Sequence, residues 1–317
     1  MAKFKALSAA LLMTGTLIAN AGDPDPTLDF DAAVQNLKST MVEAATDKSL
    51  SYANSYLEDF FPTVETSFSS GYNGGQSRTG GPTAGILLVK PLSTKDDVIN
   101  TTFMQGSMFY QDRRTTLNLG LGYRKLLNEK TLLAGINVFY DHEFPYDHNR
   151  TSVGLEARTT AWEVNANRYW ALSDWKAGRN GAVERALDGY DIEFGLPFPY
   201  MNWATLFVKR YQWDAHLGAS DIKGNDVQFR LRPPPVPGLE IQIGRTYSQA
   251  ELSDQNHFNI SYNIMALFEK GKKSSSPTWI SESAYKLASM EEYRYDKVRR
   301  QNLIVKQTSS TLIVKGY

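Results

Sequence analysis

Arg114-Thr-Thr-Leu-Asn-Leu-Gly-Leu-Gly-Tyr-Arg124 alternates, residue by residue, between two kinds of surface. Leu117, Leu119, Leu121 and Tyr123 fall on one side, and Thr116, Asn118, Gly120, Gly122 and Arg124 on the other. Successive side chains of a β-strand face opposite sides of the sheet. One face of this strand is therefore apolar, and the other is small, polar and charged. The same alternation recurs at Val153/Leu155/Ala157 against Ser152/Gly154/Glu156/Arg158, at Tyr190/Ile192/Phe194 against Asp191/Glu193/Gly195, at Leu239/Ile241/Ile243 against Glu240/Gln242/Gly244, and at Phe258/Ile260/Tyr262/Ile264 against Asn259/Ser261/Asn263. A second face rich in glycine and charge suits a wet lumen, and the pattern predicts an all-β, transmembrane antiparallel barrel rather than a soluble sandwich.

The composition is compatible. The 317 residues carry 34 Lys and Arg against 34 Asp and Glu, so no basic face marks a nucleic-acid partner. Past the N-terminus no run approaches the ~18 apolar residues of a membrane helix, but a barrel strand needs only ~9–11. Tyr and Phe are abundant, as interfacial girdles require. There is no cysteine, which excludes disulfides, thiolate metal sites and a cysteine nucleophile. Lys3 and Lys5, the apolar stretch from Ala6 to Ile18 and the triplet Ala19-Asn20-Ala21 have the layout of a secretory signal peptide, assigned to residues 1–21.

Residues 22–61 lack strand periodicity. Ala33, Leu37, Met41, Ala44, Ala45 and Leu57 recur at helical steps and Pro62 closes the stretch, which predicts a periplasmic helical segment. Residues 62–268 read as about twelve strands: 63–71, 82–91, 101–110, 115–126, 131–141, 149–158, 161–169, 187–196, 202–211, 225–232, 238–247 and 256–267. Tight turns are expected at 127–130 and 159–160, and long connections at 72–81, 142–148, 170–186 and 212–224. Such barrels have short periplasmic turns and longer external loops, so the four long connections are expected outside. Residues 269–305 read as a linker and a polar helix from Ile280 to Gln301 placed in water or in a polar pore, and 306–317 as a short tail.

Four motifs in order are similar to one family. Arg114–Arg124 closely resembles the strand signature of the intimin/invasin barrels, the inverse autotransporters. Ala134-Gly-Ile-Asn-Val-Phe-Tyr-Asp141 and His148-Asn-Arg-Thr-Ser-Val-Gly-Leu-Glu156 resemble the strands that follow, and Arg294-Tyr-Asp-Lys-Val-Arg-Arg-Gln-Asn-Leu-Ile-Val305 the pore-helix and exit motif. The resemblance implies a twelve-stranded barrel in the outer membrane of a Gram-negative-type bacterium, with a periplasmic N-terminus. It also implies a helix that returns through the lumen and leads a C-terminal passenger to the surface. The chain departs from the pattern at Gln301-Asn302, at Lys306-Gln-Thr, and in ending at Tyr317, where a passenger is essentially absent. The implied function is an outer-membrane anchor and translocation unit that exports its own C-terminal segment, with a passive pore or structural barrel of the same descent as the alternative. Implied partners are outer-membrane lipid, the barrel-assembly machinery and periplasmic chaperones, with a surface receptor only if a passenger exists elsewhere.

The candidate functional residues are the charges of the pore helix, Glu291, Arg294, Arg299 and Arg300. Complementary lumen partners are expected among Arg124, Glu156, Arg158, Asp191 and Glu193, since an unpaired charge in a narrow lumen is costly. Asn118→Ser, on the lumen face, is expected to be nearly silent. His142, His148, His216 and His257 have no metal-ligand spacing, and Ser152 near His148 is explained as strand, so no catalytic site, metal or cofactor is predicted.

Overall fold

The computed structural model describes residues 61–72, 81–94, 96–248, 254–267, 279–285 and 287–309. The signal peptide, the helical segment short of Phe61 and the tail beyond Ser309 lie outside these residues. In chain order the strands are β1 (Thr63–Tyr72), β2 (Thr83–Pro91), β3 (Asn100–Gln111), β4 (Arg114–Leu127), β5 (Leu132–Phe144), β6 (His148–Arg158), β7 (Glu163–Ala171), β8 (Lys176–Ala177), β9 (Val183–Ala186), β10 (Gly189–Phe198), β11 (Met201–Trp213), β12 (Ile222–Leu231), β13 (Leu239–Ser248), β14 (Gln255–Asn263) and β15 (Lys306–Thr308). Twelve of them close an antiparallel barrel. Each pairs with its neighbour in sequence, except that β7 pairs directly with β10, and β1 meets β14 to close the ring with Ser67 opposite Ser261. The strands β8 and β9 lie in the β7–β10 connection and form a separate small sheet with β15.

The alternation read from the sequence is the division between outside and lumen. In β4, Leu119 is 57% exposed and Asn118 only 3%. Among outward residues, Tyr123 and Trp170 lie near opposite ends of the barrel, at the levels where interfacial aromatics sit. One connection differs from expectation. Residues 142–148 are not a long loop, because β5 runs to Phe144 and β6 starts at His148, with Glu143 still paired to His148. The turn shrinks because β5 stays paired with β4 up to Phe144, opposite Thr115, while β6 runs past β7 to His148, and Arg114 holds Glu143 at 2.7 Å. The β3–β4 turn is also tight, with positive φ at Asp112 and Arg113, 53° and 62°, the geometry of a two-residue hairpin turn.

Inside, glycines face aromatic rings across the strand pairs. Gly120 is opposite Phe139, Gly122 opposite Phe103, and Gly195 opposite Phe207. A Cβ on Gly120 would lie 2.3 Å from the Phe139 ring, one on Gly122 2.2 Å from that of Phe103, and one on Gly195 2.4 Å from that of Phe207. The rings therefore lie flat on bare backbone and turn their other faces into the lumen.

The expected C-terminal helix is the main correction. From 287 to 305 the only regular helix among the described residues is a 3-10 turn, Glu291–Tyr295; the chain from 296 to 305 follows an irregular path. The cause lies in the wall. Its side chains bond the backbone carbonyls of Arg294, Asp296, Arg299, Gln301, Asn302 and Leu303, which an α-helix would need for its own ladder. The segment also has no apolar stripe, so nothing offsets its helix-nucleation cost.

Candidate functional site in the barrel lumen

The segment from Met290 to Val305 runs through the barrel from end to end. The Met290 N–H donates to the carbonyl of Lys130, in the β4–β5 turn, and the carbonyl of Val305 accepts from the Leu187 N–H, just before β10. At the first end Met290 packs on Leu126 and Leu133. Glu291 pairs with Lys130 at 3.1 Å, half exposed. Arg294 points to the carbonyls of Asp97 and Val98.

Deeper in, the charges interlock. Asp296 lies 3.0 Å from Arg158 and 3.4 Å from Arg232. Lys297 sits between Glu65, at 2.7 Å, and Glu240, at 3.1 Å. Arg299 donates twice to Glu193, at 2.5 and 2.9 Å, and its guanidinium lies 3.9 Å over the Phe207 ring. Arg300 donates twice to Asp141 and once to Ser152, and lies 4.3 Å over Phe139. Two of the rings that rest on glycine, Phe207 and Phe139, thus carry Arg299 and Arg300 of the segment.

Of the expected wall partners, Glu193 meets Arg299 and Arg158 meets Asp296. Arg124 and Glu156 bind each other, with Arg124 turning its remaining N–H groups to carbonyls of the segment. Asp191 bonds Asn167 and Tyr169 and reaches the segment indirectly, through the Tyr169 hydroxyl that accepts from the Gln301 N–H. Sequence reasoning missed Asp141, Arg150, Glu65, Glu163 and Glu240. Parity finds Arg150, which shares the face of Ser152 and Glu156, and Glu240, which shares that of Gln242 and Gly244.

At the far end the chain leaves along β9. In β15, Lys306 is opposite Ala186 and Thr308 opposite Glu184. Lys306 bonds Glu143, and Arg114 bridges Glu143 and Glu184, at 2.7 and 2.9 Å. Burial raises the Glu184 carboxyl, but His148, Arg114 and Lys306 outweigh it and hold the group below the usual carboxylate range. From Arg299 to Leu303 the segment is bonded to β4, β5, β6, β7 and β10. A cavity of about 230 Å³ remains beside it, walled by Ser67, Ser69, Gln228, Gln242 and Asn259 among others. No cluster of potential metal ligands occurs among the described residues.

The comparisons agree with this geometry. The family model of the inverse autotransporter beta-domain matches residues 17–302. A putative attaching and effacing protein homolog of Escherichia coli K12 is 25% identical over 244 residues, 70% of this chain and 72% of that protein. The inverse autotransporter adhesin YeeJ of the same strain and the invasin of Yersinia enterocolitica are each 25% identical over 65% and 64% of this chain, which spans 9% and 24% of those longer proteins. A solved chain from a study of in-meso crystallization of membrane proteins superposes with a TM-score of 0.61 at 20% identity, covering 78% of this chain and all of that one, and shows the same barrel fold. The chain belongs to the inverse autotransporter beta-domain family, and its barrel is an outer-membrane anchor and translocation unit of that kind.

Proposed function

We propose that the chain is inserted with its short β4–β5 and β6–β7 turns in the periplasm, and that the segment 290–309 is the exported strand, held in transit through the lumen. One observation carries this reading: the segment starts at the end where β14 finishes and is bonded to the wall all the way to β15 at the other end. Residues 22–61 then remain periplasmic, and the sheet β8–β9–β15 lies at the cell surface. Glu291, Arg294, Arg299 and Arg300 seat the segment, with Arg124, Glu156, Arg158, Asp191 and Glu193 as the matching wall. Assembly requires the periplasmic chaperones and the barrel-assembly machinery, since the outward face is too apolar to cross the periplasm unescorted. The protein performs no chemistry of its own in this reading.

The test is topological. An epitope appended after Tyr317 should be reached by antibody on intact cells, and one inserted at Pro235, in the β12–β13 turn, only after permeabilisation. The opposite pattern would invert the orientation.

A further inference from the structure

We propose that Arg124 and Arg150 are clamps that bind the backbone of a non-helical polypeptide whatever its side chains, Arg150 on an extended stretch and Arg124 at the turn that precedes it. This rests on the reading that a chain passes through the lumen, and it names what the lumen recognises.

The two sites share the same support. Each arginine is at most 1% exposed. Each is anchored by a carboxylate of the wall: Arg124 on Glu156 at 2.6 and 3.1 Å, Arg150 on Asp141 at 2.8 Å. Each lies on an aromatic ring, Arg124 4.4 Å from the Phe103 centroid and Arg150 4.5 Å from that of Tyr169. Each reaches two carbonyls two residues apart, Arg150 with one terminal nitrogen for each and Arg124 with a single nitrogen for both. Arg124 takes those of Arg294 and Asp296, at 2.8 and 2.6 Å. Arg150 takes those of Gln301 and Leu303, at 2.6 and 3.2 Å. The second pair repeats the first seven residues further along the chain.

The chemistry of this contact selects a conformation. In a helix each carbonyl is capped by the N–H four residues on and points along the axis. In an extended chain alternate carbonyls face one side, about 6.6 Å apart. At Arg150 a rigid, forked donor fixed by a carboxylate and a ring reads that pair, and a flexible ammonium does not; at Arg124 one guanidinium nitrogen takes both carbonyls where the 3-10 turn Glu291–Tyr295 ends. The groups between the clamps also address main chain: Asn167 bonds the Arg299 carbonyl, Asn118 that of Asn302, and Gln105 accepts from the Val298 N–H. Carbonyls are common to every residue, so a chain advancing through the lumen presents equivalent pairs in each new position. The ligand class is therefore unfolded polypeptide.

Planar-bilayer recordings of the full chain test this through the lifetime of the closed state. Arg124→Lys with Arg150→Lys keeps both charges and removes both planar, carboxylate-anchored donors, and should shorten closed lifetimes at least tenfold. Gln301→Ser with Leu303→Ser changes side chains above the second clamp and should leave them within twofold. In the Arg299→Gln/Arg300→Gln variant the segment loses two of its side-chain anchors and depends more heavily on the clamps. There, a neutral 20-residue Gly-Ser peptide should lengthen the closures, or the channel should already stay shut. The same peptide should do nothing once both clamp arginines are also lysine. Equal effects of the two first double variants, or equal block with and without the clamps, would overturn the proposal. Heat-modifiable mobility on gels reports in each case that the barrel has folded. Loss of surface exposure of the C-terminal epitope would defeat the export reading separately.

Discussion

Arg300 and Asp141 meet through two hydrogen bonds, 2.9 and 2.7 Å, with neither side chain exposed to solvent. Asp141 also accepts from Arg150 and Asn118, so one carboxylate of β5 joins the wall to the segment. Removing one partner of a buried pair costs about 3–5 kcal/mol, because the other charge is left uncompensated. Arg300→Ala should fall at or below the low end, since Arg150 still neutralises Asp141. Asp141→Asn should exceed it, leaving two arginines against one amide. Hydrogen exchange at the Val298 and Gln301 amides should show the segment loosened in that order, while the barrel strands stay protected. Equal protection in both variants would mean that the segment is held without this pair.

Asn118 and Leu119 are neighbours on opposite faces of β4, and the structure revises what is expected of the first. Asn118 is not a spare lumen residue: it donates to Asp141 and to the carbonyl of Asn302 and accepts from Ser107. A hydrogen bond to a charged group is worth about 1.5–3 kcal/mol. Asn118→Ser should therefore release the segment, seen as faster exchange near Asn302, and leave barrel stability almost unchanged. Leu119→Arg should do the reverse, costing about 2–4 kcal/mol of barrel stability if Leu119 is near the midplane. Reversible unfolding in lipid vesicles separates the two.

The barrel was legible in the sequence because a strand's period of two is local. Thr116 to Arg124 declare their faces without reference to anything distant. The twelve strand positions follow from the same rule, and their ends shift by only a few residues. The state of the C-terminal segment was not legible, for a physical reason. Residues 280–301 have no glycine or proline and many charges, which locally permits a helix. What decides against it are donors that lie more than a hundred positions away in sequence, such as Arg124 and Arg150. The pairing of Arg299 with Glu193 was within reach, because both carry a charge and parity puts Glu193 inside. Asp141 was the last residue of the expected strand 131–141, and its place inside the lumen beside Arg150 and Arg300 shows only once β5 is seen to run on to Phe144.

The glycine face leads to a sharper prediction than a general need for room. Phe139 lies on Gly120 and carries the Arg300 guanidinium on its other face. A methyl group on Gly120 must push the ring into the lumen, and overpacking of this kind costs about 1–3 kcal/mol. Gly120→Ala should thus disturb Arg300, 180 positions away in sequence. Gly106→Ala in β3, where an added Cβ meets nothing within 4 Å, is the control and should be silent. Thermal unfolding of the two variants, read beside exchange at Gln301, checks both halves. A silent Gly120→Ala would show that the ring has slack the packing does not reveal.

The sheet where the chain leaves the barrel should respond to acid, and the sign follows from Glu184. Its carboxyl is held below the usual range by His148, Arg114 and Lys306 against the opposing effect of burial, while in a detached loop it returns to about 4.3. The detached state therefore binds the proton more readily. The contribution of Glu184 to the β9–β15 contact is complete above about pH 4.3 and is lost as pH falls through the lower, attached value. Between about pH 7 and 5.5 nothing should change; below about pH 4 the strand Lys306–Thr308 should loosen. The chain has no cysteine, so a single spin label at Ser309→Cys reports the motion cleanly. Its spectrum should turn mobile on going from about pH 5.5 to about 3.5. Glu184→Gln should be mobile already at about pH 7 and change little on acidification. Glu143, which pairs with Lys306 and Arg114, is intact in that variant. If Glu184→Gln keeps the full acid response, the transition belongs to Glu143, and Glu184 is not the group whose protonation frees the strand.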